Sequence, residues 1–158
     1  MVAFSELWRN HPKVKGDAPV LDPTAYPNQC AINLYAALVR SGFNVKTFTG
    51  VFSWQKEKPK YAICAQELAN WLARPSILNS KMQKLTGKDA FDSMTSKAGI
   101  VFFQHYWGPD EQGGHVDLWN GSRLTDWTSW IRIHANMNIP GVWSDYKKAK
   151  SVWFWPIL

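Results

Sequence analysis

The sequence predicts a single α+β domain, residues 1–158, in which N-terminal helices pack on an antiparallel sheet. Helical patterns dominate the first half of the chain, and strand patterns dominate the second half. Helices that precede a run of strands are typical of α+β proteins. A chain of this length buries about 70% of the surface that its unfolded form exposes, so neither a disulfide framework nor a metal is needed for the core.

Two amphipathic helices carry the strongest helical signal. The first begins at Cys30 and ends at Ser41 and Gly42, since glycine suits the left-handed position after a helix. Its apolar stripe has the spacing of one helix face: Ile32, Leu34, Tyr35, Leu38 and Val39. The second spans about residues 62–73.

Weaker helical signals lie at the N-terminus and in the middle of the chain. Phe4, Leu7 and Trp8 have helical spacing, and a short helix is predicted near residues 88–97. Four prolines between residues 12 and 27 favour an extended segment without regular structure. We expect residues 1–27 to wrap the surface and to form one wall of a cleft.

The strand signals are aromatic and β-branched. Residues 47–54 form a strand or an ordered loop, and residues 100–106 form a central strand. Residues 151–157 form an aromatic strand, where Pro156 indicates an edge or a strand end. Residues 127–150 have no clear pattern.

A β-hairpin predicted around Asn120-Gly121 brings an imidazole and a carboxylate together. Asn-Gly favours a type I′ two-residue turn, which pairs Trp119 with Ser122. The same register places His115 opposite Asp126, with Cβ atoms roughly 5 Å apart. The imidazole can then donate one N–H to the carboxylate and keep its other nitrogen for a thiol. The other histidines, His11, His105 and His134, have no acid placed opposite them.

Cys30 is the candidate nucleophile for this base. It stands at a helix N-terminus, where the helix dipole and unpaired N–H groups favour a thiolate, which is the attacking species. A buried structural cysteine is the ordinary alternative, and only the hairpin argues against it. Cys64 has small and apolar neighbours and is predicted to serve packing. A disulfide between the two is possible in principle but would consume the nucleophile.

Residues beside these three are candidates for supporting roles. The Cys30 backbone N–H is a natural oxyanion donor, and the side chain of Gln29 or Asn28 is a candidate second donor. A simple helix cap by Asn28 explains that residue equally well. Asp117 shares the face of His115 and is a candidate either for supporting the site behind His115 or for binding substrate. Gly114 and Trp119 are further candidates for binding substrate.

Charge and composition restrict the partners. The net charge of +6 favours a polyanionic partner, such as an anionic envelope polymer or an acidic protein, although a basic surface alone explains it. No recognised nucleic-acid motif gathers the cations, so no nucleic-acid partner is expected. We expect neither a membrane span nor a signal peptide, and neither a metal nor a cofactor.

Four sequence blocks resemble one known family. Asn28-Gln29-Cys30-Ala31-Ile32 is the first; the others are residues 65–69, 99–103 and 114–121. They are similar to successive blocks of the fourth family of type VI secretion amidase effectors, which have a papain-like fold. The last block is the most specific. The chain departs from the usual pattern at Gly114, where members usually have an acid, and it lacks a late paired-cysteine loop.

The resemblance implies a Cys–His–Asp peptidoglycan amidase with Cys30, His115 and Asp126 as its triad. Such enzymes cut the D-glutamyl to meso-diaminopimelate bond of the cell-wall peptide stem. It also implies delivery by the type VI secretion machinery to the periplasm of a target bacterium and a cognate immunity protein that occludes the cleft. The lack of a visible signal peptide separately predicts production in the cytoplasm.

Two other functions stay open at the level of sequence. A papain-like protease or deamidase acting on a protein substrate would use the same triad, because the chemistry at the carbonyl is shared. The ten tryptophans also suit a non-catalytic wall-binding module. Turnover of muropeptides, of protein substrates or of neither distinguishes the three.

Overall fold

A computed structural model describes residues 2–86, 89–107, 113–125 and 151–158 of the chain. Five helices and four strands lie in this part. The helices are α1 (Phe4–Asn10), α2 (Pro12–Lys15), α3 (Cys30–Arg40), α4 (Ala65–Leu72) and α5 (Ala90–Met94). The strands are β1 (Gln83–Leu85), β2 (Gly99–Trp107), β3 (Gly113–Trp119) and β4 (Ser151–Pro156). The α+β prediction is confirmed.

Helix α3 lies at the centre of the helical layer. Nearly all of its residues are buried, and it packs against α1 and β3. It ends as predicted, with Ser41 at the C-cap and Gly42 in the left-handed region at φ +77°. The helix therefore begins at residue 30 and is ended by the left-handed conformation of residue 42.

The four strands form one antiparallel sheet with the order β1-β4-β2-β3. The predicted strands at residues 100–106 and 151–157 are confirmed as β2 and β4. β4 lies between β1 and β2, so Pro156 marks a strand end rather than a sheet edge. The three-residue β1 was not predicted, because its mixed sequence carries no alternation.

Successive residues of β2 face opposite layers, as a strand period of two requires. Ile100 and Phe102 belong to the core cluster that α1, α3 and α4 share. Val101 and Phe103 belong to the cluster that contains α5. Both faces of the sheet are therefore covered here, which explains why residues 100–103 of β2 are all apolar instead of alternating.

Three helical predictions need correction. Residues 12–27 contain the short helix α2, which begins at Pro12 after His11 accepts a capping hydrogen bond. α4 begins at Ala65 rather than near residue 62, because Ala62 pairs with Phe52 in an isolated β-bridge. α5 is shorter than predicted, since Thr95 has extended ψ and Ser96 has φ +63°.

The predicted two-residue hairpin turn is wrong. Trp119 forms its bridge with Leu124, not with Ser122, so residues 120–123 form a four-residue loop. The Asn120 N–H donates to the Arg123 carbonyl at 3.1 Å, and the Asn120 Oδ1 accepts the Ser122 and Arg123 N–H groups at 3.0 and 2.9 Å. Gly121 has φ +98°, whereas Asn120 is not in the left-handed region that a type I′ turn demands of both residues.

Within the same part of the chain, no helix is both long enough and apolar enough to cross a membrane.

Candidate active site

One cavity collects five of the residues that the sequence singled out. Its volume is about 180 Å³, and it opens between the start of α3, the middle of β3 and the end of α1. Ten residues line it: His11, Lys13, Asn28, Gln29, Cys30, Asn33, His115, Val116, Asp117 and Thr125. Cys30 and His115, predicted from distant parts of the sequence, therefore share one cavity.

Cys30 is the first residue of α3 and is 9% exposed. Its backbone N–H donates to the Asn28 Oδ1 at 3.3 Å, so Asn28 forms the local turn before the helix. The thiol thus lies where a helix leaves N–H groups without intrahelical acceptors. Such N–H groups and the helix dipole stabilise negative charge placed beside them.

Gln29 is held by the main chain of the N-terminal segment. Its Nε2 donates to the Tyr26 carbonyl at 2.6 Å and to the Leu21 carbonyl at 3.3 Å. Because both amide hydrogens are used, this geometry argues against Gln29 as the second oxyanion donor. The tether does fix the residue beside the nucleophile.

His115 lies on β3, opposite Phe103 of β2, and their rings stack at a centroid distance of 6.3 Å. Gly114 allows β3 to lie close to the Phe102 ring of β2. A Cβ at this position would lie 2.8 Å from the Phe102 ring. Its glycine is therefore needed for packing beside the base.

Asp117 is a buried carboxylate surrounded by donors. Its Oδ2 lies 3.4 Å from the His115 Nε2, and its Oδ1 accepts the Leu118 N–H at 2.7 Å and the Thr125 hydroxyl. Burial alone would raise the pKa of Asp117, but the hydrogen bonds and charges of His115, His11 and Thr125 hold that pKa below its usual value. The group is thus an anion at neutral pH.

An ionised carboxylate accepts hydrogen bonds and donates none. The contact with Asp117 therefore favours the His115 tautomer that carries its proton on Nε2. The other ring nitrogen, Nδ1, is left with a lone pair in that tautomer. This is the state that a base needs before it takes a proton from a thiol.

His11 is the residue that the sequence reasoning missed. It is 2% exposed, and its Nε2 lies 3.8 Å from the Asp117 Oδ1. Burial, the largest cause, lowers the pKa of His11 to about 4 despite the attraction of Asp117, so the ring is neutral at pH 7. A signal did exist: an acceptor side chain directly before Pro12 is typical of a helix start. No sequence pattern pointed from that position to Asp117.

The remaining predicted residues have different outcomes. Asp126 and His134 lie outside the described residues, and the register that placed His115 opposite Asp126 is wrong. Trp119 is 3% exposed and donates its indole N–H to the Met94 carbonyl at 3.0 Å, which argues against contact with a substrate. Cys64 precedes α4 and does not line the cavity. Both cysteines are free thiols.

This arrangement combines a thiol at a helix N-terminus with an imidazole on an antiparallel strand, which is the layout of papain-like cysteine hydrolases. No group of three or more potential metal ligands occurs among the residues that the structure describes. The site as described thus suits nucleophilic acyl transfer.

Comparison with known proteins gives the family. The family described as Type VI secretion system (T6SS), amidase effector protein 4 (Tae4), matches residues 26–155. The chain belongs to this family. It is therefore an antibacterial peptidoglycan amidase effector, and the papain-like α+β fold expected from the sequence is confirmed. The reading as a non-catalytic binding module is thereby corrected.

Solved structures of low sequence identity share the fold. The Tae4–Tai4 effector–immunity complex from Enterobacter cloacae matches with a TM-score of 0.68 at 21% identity, covering 100% of this chain and 99% of that chain. The Tae4/Tai4 system from Salmonella typhimurium matches with a TM-score of 0.66 at 20% identity, with 100% and 99% covered. Tae4 from Enterobacter cloacae matches with a TM-score of 0.64 at 20% identity, with 100% and 98% covered. No curated protein matches the chain.

Proposed function

We propose that the protein hydrolyses the D-glutamyl to meso-diaminopimelate amide bond of the peptidoglycan stem through a Cys30 thiolate. The observation that carries this proposal is that Cys30 and His115 line one cavity, with Cys30 at the N-terminus of α3. Membership of an amidase effector family supplies the reaction class. The resemblance of the sequence blocks to this family indicates which amide bond is cut.

The catalytic cycle has two acyl-transfer steps. His115 takes the Cys30 proton, and the thiolate attacks the carbonyl carbon of the glutamyl amide. The tetrahedral intermediate collapses when protonated His115 gives its proton to the departing diaminopimelate amine, which leaves a thioester on Cys30. His115 then activates a water that releases the glutamyl carboxylate and restores the thiol.

A carboxylate holds the base in its working tautomer. Asp117 is a candidate because of its 3.4 Å contact with the His115 Nε2. Asp126 is the third triad member by sequence prediction and by the family resemblance, and it stays a prediction. The two acids are tested side by side below.

Asn28 is the better of the two proposed side-chain donors for the oxyanion. Gln29 has both amide hydrogens on main-chain carbonyls. Asn28 lines the cavity, and its Oδ1 occupies the Cys30 N–H in the resting structure. An arriving oxyanion would take over that N–H and receive a second hydrogen bond from the Asn28 amide.

The biological setting follows from the family. As a type VI effector, the protein is delivered into a target cell, and we propose that it acts in the periplasm, where its substrate lies. Solved relatives include Tae4–Tai4 effector–immunity complexes. We therefore propose that a cognate immunity protein covers the cavity that contains Cys30, and that the +6 charge assists binding to the anionic wall or to an acidic inhibitor.

Mass spectrometry of digested peptidoglycan tests the reaction. Wild-type protein should release products that end in D-glutamate at the cleaved bond. Cys30→Ala should lower turnover by at least about a thousandfold, because the nucleophile is lost. The matched control is Cys64→Ser, which removes the other thiol away from the cavity and should leave turnover largely intact.

The same variants can be sent to the periplasm of a susceptible cell, where wild type and Cys64→Ser should cause lysis. Lysis by Cys30→Ala but not by Cys64→Ser would overturn the nucleophile assignment. Cleavage at a different bond would retain the cysteine chemistry and reject the proposed substrate. Activity that disappears in EDTA would contradict a thiol mechanism.

A further inference from the structure

We propose that His11 is a positioning residue for catalysis: a buried imidazole whose Nε2 lies 3.8 Å from the Asp117 Oδ1, so that its N–H dipole favours the position of the carboxylate that contacts His115. This inference rests on the proposed role of His115 as the base. It adds the N-terminal segment to the site, which residues 28–30 and β3 otherwise form.

The tautomer of His11 follows from its local hydrogen bonds. The Lys13 backbone N–H donates to the His11 Nδ1 at 3.2 Å, so that nitrogen carries a lone pair. A neutral imidazole has one protonated nitrogen, and this must be Nε2. Nε2 is the atom that lies 3.8 Å from the Asp117 Oδ1. The ring therefore presents a donor to the carboxylate.

The backbone of His11 is fixed at both sides. Its N–H donates to the Trp8 carbonyl at 3.2 Å, and its carbonyl accepts the Lys15 N–H at 3.0 Å. The residue ends α1 and begins α2, so these two helices set the position of its ring. A donor held in this way needs little reorganisation during the reaction.

The buried charge of Asp117 explains why an N–H group beside it matters. The carboxylate is 2% exposed and therefore depends on protein donors in place of water. The Thr125 hydroxyl and the Leu118 N–H donate to Oδ1, and the His11 Nε2 faces the same oxygen at 3.8 Å, while Oδ2 contacts His115. Without the His11 donor, we expect Asp117 to turn toward other partners or to take up a proton, and either change weakens its hold on His115.

Burial is the main cause that keeps the pKa of His11 low. The charge of Asp117 raises that pKa, whereas the charges of His115 on β3, Lys13 on α2 and Arg40 on α3 lower it further. The ring therefore stays a neutral donor through the neutral pH range. A histidine that acted as a second base would need the opposite balance.

Two polar variants separate the donor from the shape of the side chain. Gln at position 11 can place its amide N–H near the former Nε2 and reach Asp117. Asn is one methylene shorter, so it can still cap α2 but cannot reach the carboxylate. We expect His11→Asn to lower kcat roughly tenfold with KM unchanged, and His11→Gln to recover most of that loss.

A substrate-free readout keeps this test separate from the proposed function. In a Cys64→Ser background, iodoacetamide alkylates only Cys30, and the pH of half-maximal alkylation reports the thiolate–imidazolium pair. His11→Asn should raise this pH by roughly one unit, because a poorly held Asp117 stabilises the imidazolium less. His11→Gln should restore the wild-type value.

Asn10→Ala is the matched structural control. It removes the 3.1 Å hydrogen bond from Asn10 to the Ser41 hydroxyl on the same segment and does not touch Asp117. It should leave the alkylation profile unchanged. A His11→Asn profile equal to wild type, or equal shifts in the Asn and Gln variants, would overturn the proposal.

One measurement needs no variant. Nitrogen-15 NMR of histidine-labelled wild-type protein should show His11 neutral at pH 7 with its proton on Nε2. A charged His11, or a proton on Nδ1, would contradict the inference whatever the substrate proves to be.

Discussion

At the scale of single residues, the site depends on one carboxylate. Asp117 is buried, ionised and in contact with donors from β3, residue 125 and the N-terminal segment. Its 3.4 Å contact with the His115 Nε2 favours the tautomer that carries the proton on that atom. A single carboxylate thus connects three separate stretches of sequence to the reaction.

Asp117→Asn should lower kcat by about a hundredfold or more. The amide has the shape of the carboxylate but places an N–H group where Oδ2 stood, which favours the opposite His115 tautomer. Steady-state turnover of muropeptides, with circular dichroism as the folding control, measures the effect. A variant that turns over at the wild-type rate would reduce Asp117 to a structural role.

Asp126→Asn is the companion experiment. The sequence assigns Asp126 to the triad, so the variant should also lose most of its turnover while it stays folded. If the rate of this variant is unchanged and that of Asp117→Asn is low, Asp117 is the acid that orients His115. The reverse result restores the assignment made from the sequence.

At the scale of elements, the sheet depends on the close approach of its central strands at Gly99. β2 pairs with both β3 and β4, and Gly99 lies at the end of both ladders. A Cβ on Gly99 would lie 2.1 Å from the Trp155 carbonyl oxygen, which is backbone and cannot move aside as a side chain can. The glycine thus permits the close approach of β2 and β4.

Gly99→Ala should therefore lower the free energy of unfolding by about 3 kcal/mol or more. Gly42→Ala is the matched control, because it meets no atom within 4 Å and carries only the strain of its φ of +77°. That strain costs about 1–2 kcal/mol. Urea unfolding gives both values, and equal losses would show that the contact with Trp155 is not the cause.

At the scale of the whole molecule, the cavity that contains Cys30 lies where three parts of the fold meet. α3 supplies the thiol, β3 supplies the imidazole and its acid, and the α1–α2 junction covers them with His11. Burial of so many titratable groups in one place makes folding sensitive to acid. His11 is the clearest contributor.

The stability of the protein should decrease between pH 6.5 and pH 4. In this range the unfolded chain protonates His11 while the folded chain, with a His11 pKa of about 4, does not, so protons favour unfolding. The loss amounts to about 3 kcal/mol at most. The lowered pKa of Asp117 acts mainly at lower pH.

Urea titrations at several pH values measure this loss, and His11→Gln is the control because it removes the titrating group. The free energy of unfolding of wild type relative to the variant should increase as pH rises from 4 to about 6.5 and then stay constant. Parallel stability curves for both proteins would mean that His11 is protonated in the folded state or that it is not buried.

Local sequence patterns were enough to predict several elements of this fold. Helix spacing after Cys30, the C-terminal Gly42 and the apolar run of β2 all produced the structures that they predict, because each depends on nearby residues. The candidate thiol and imidazole were identifiable for the same reason. Their helix-start and strand environments are local features.

Contacts between groups that are far apart in sequence depend on how the elements pack. The Asn120 side chain accepts two backbone N–H groups and lengthens the loop, which changed the register on which the pairing of His115 with Asp126 depended. The contact of His11 with Asp117 joins residues 106 positions apart. No periodicity encodes such a contact, because it arises from how α1 and β3 pack around α3.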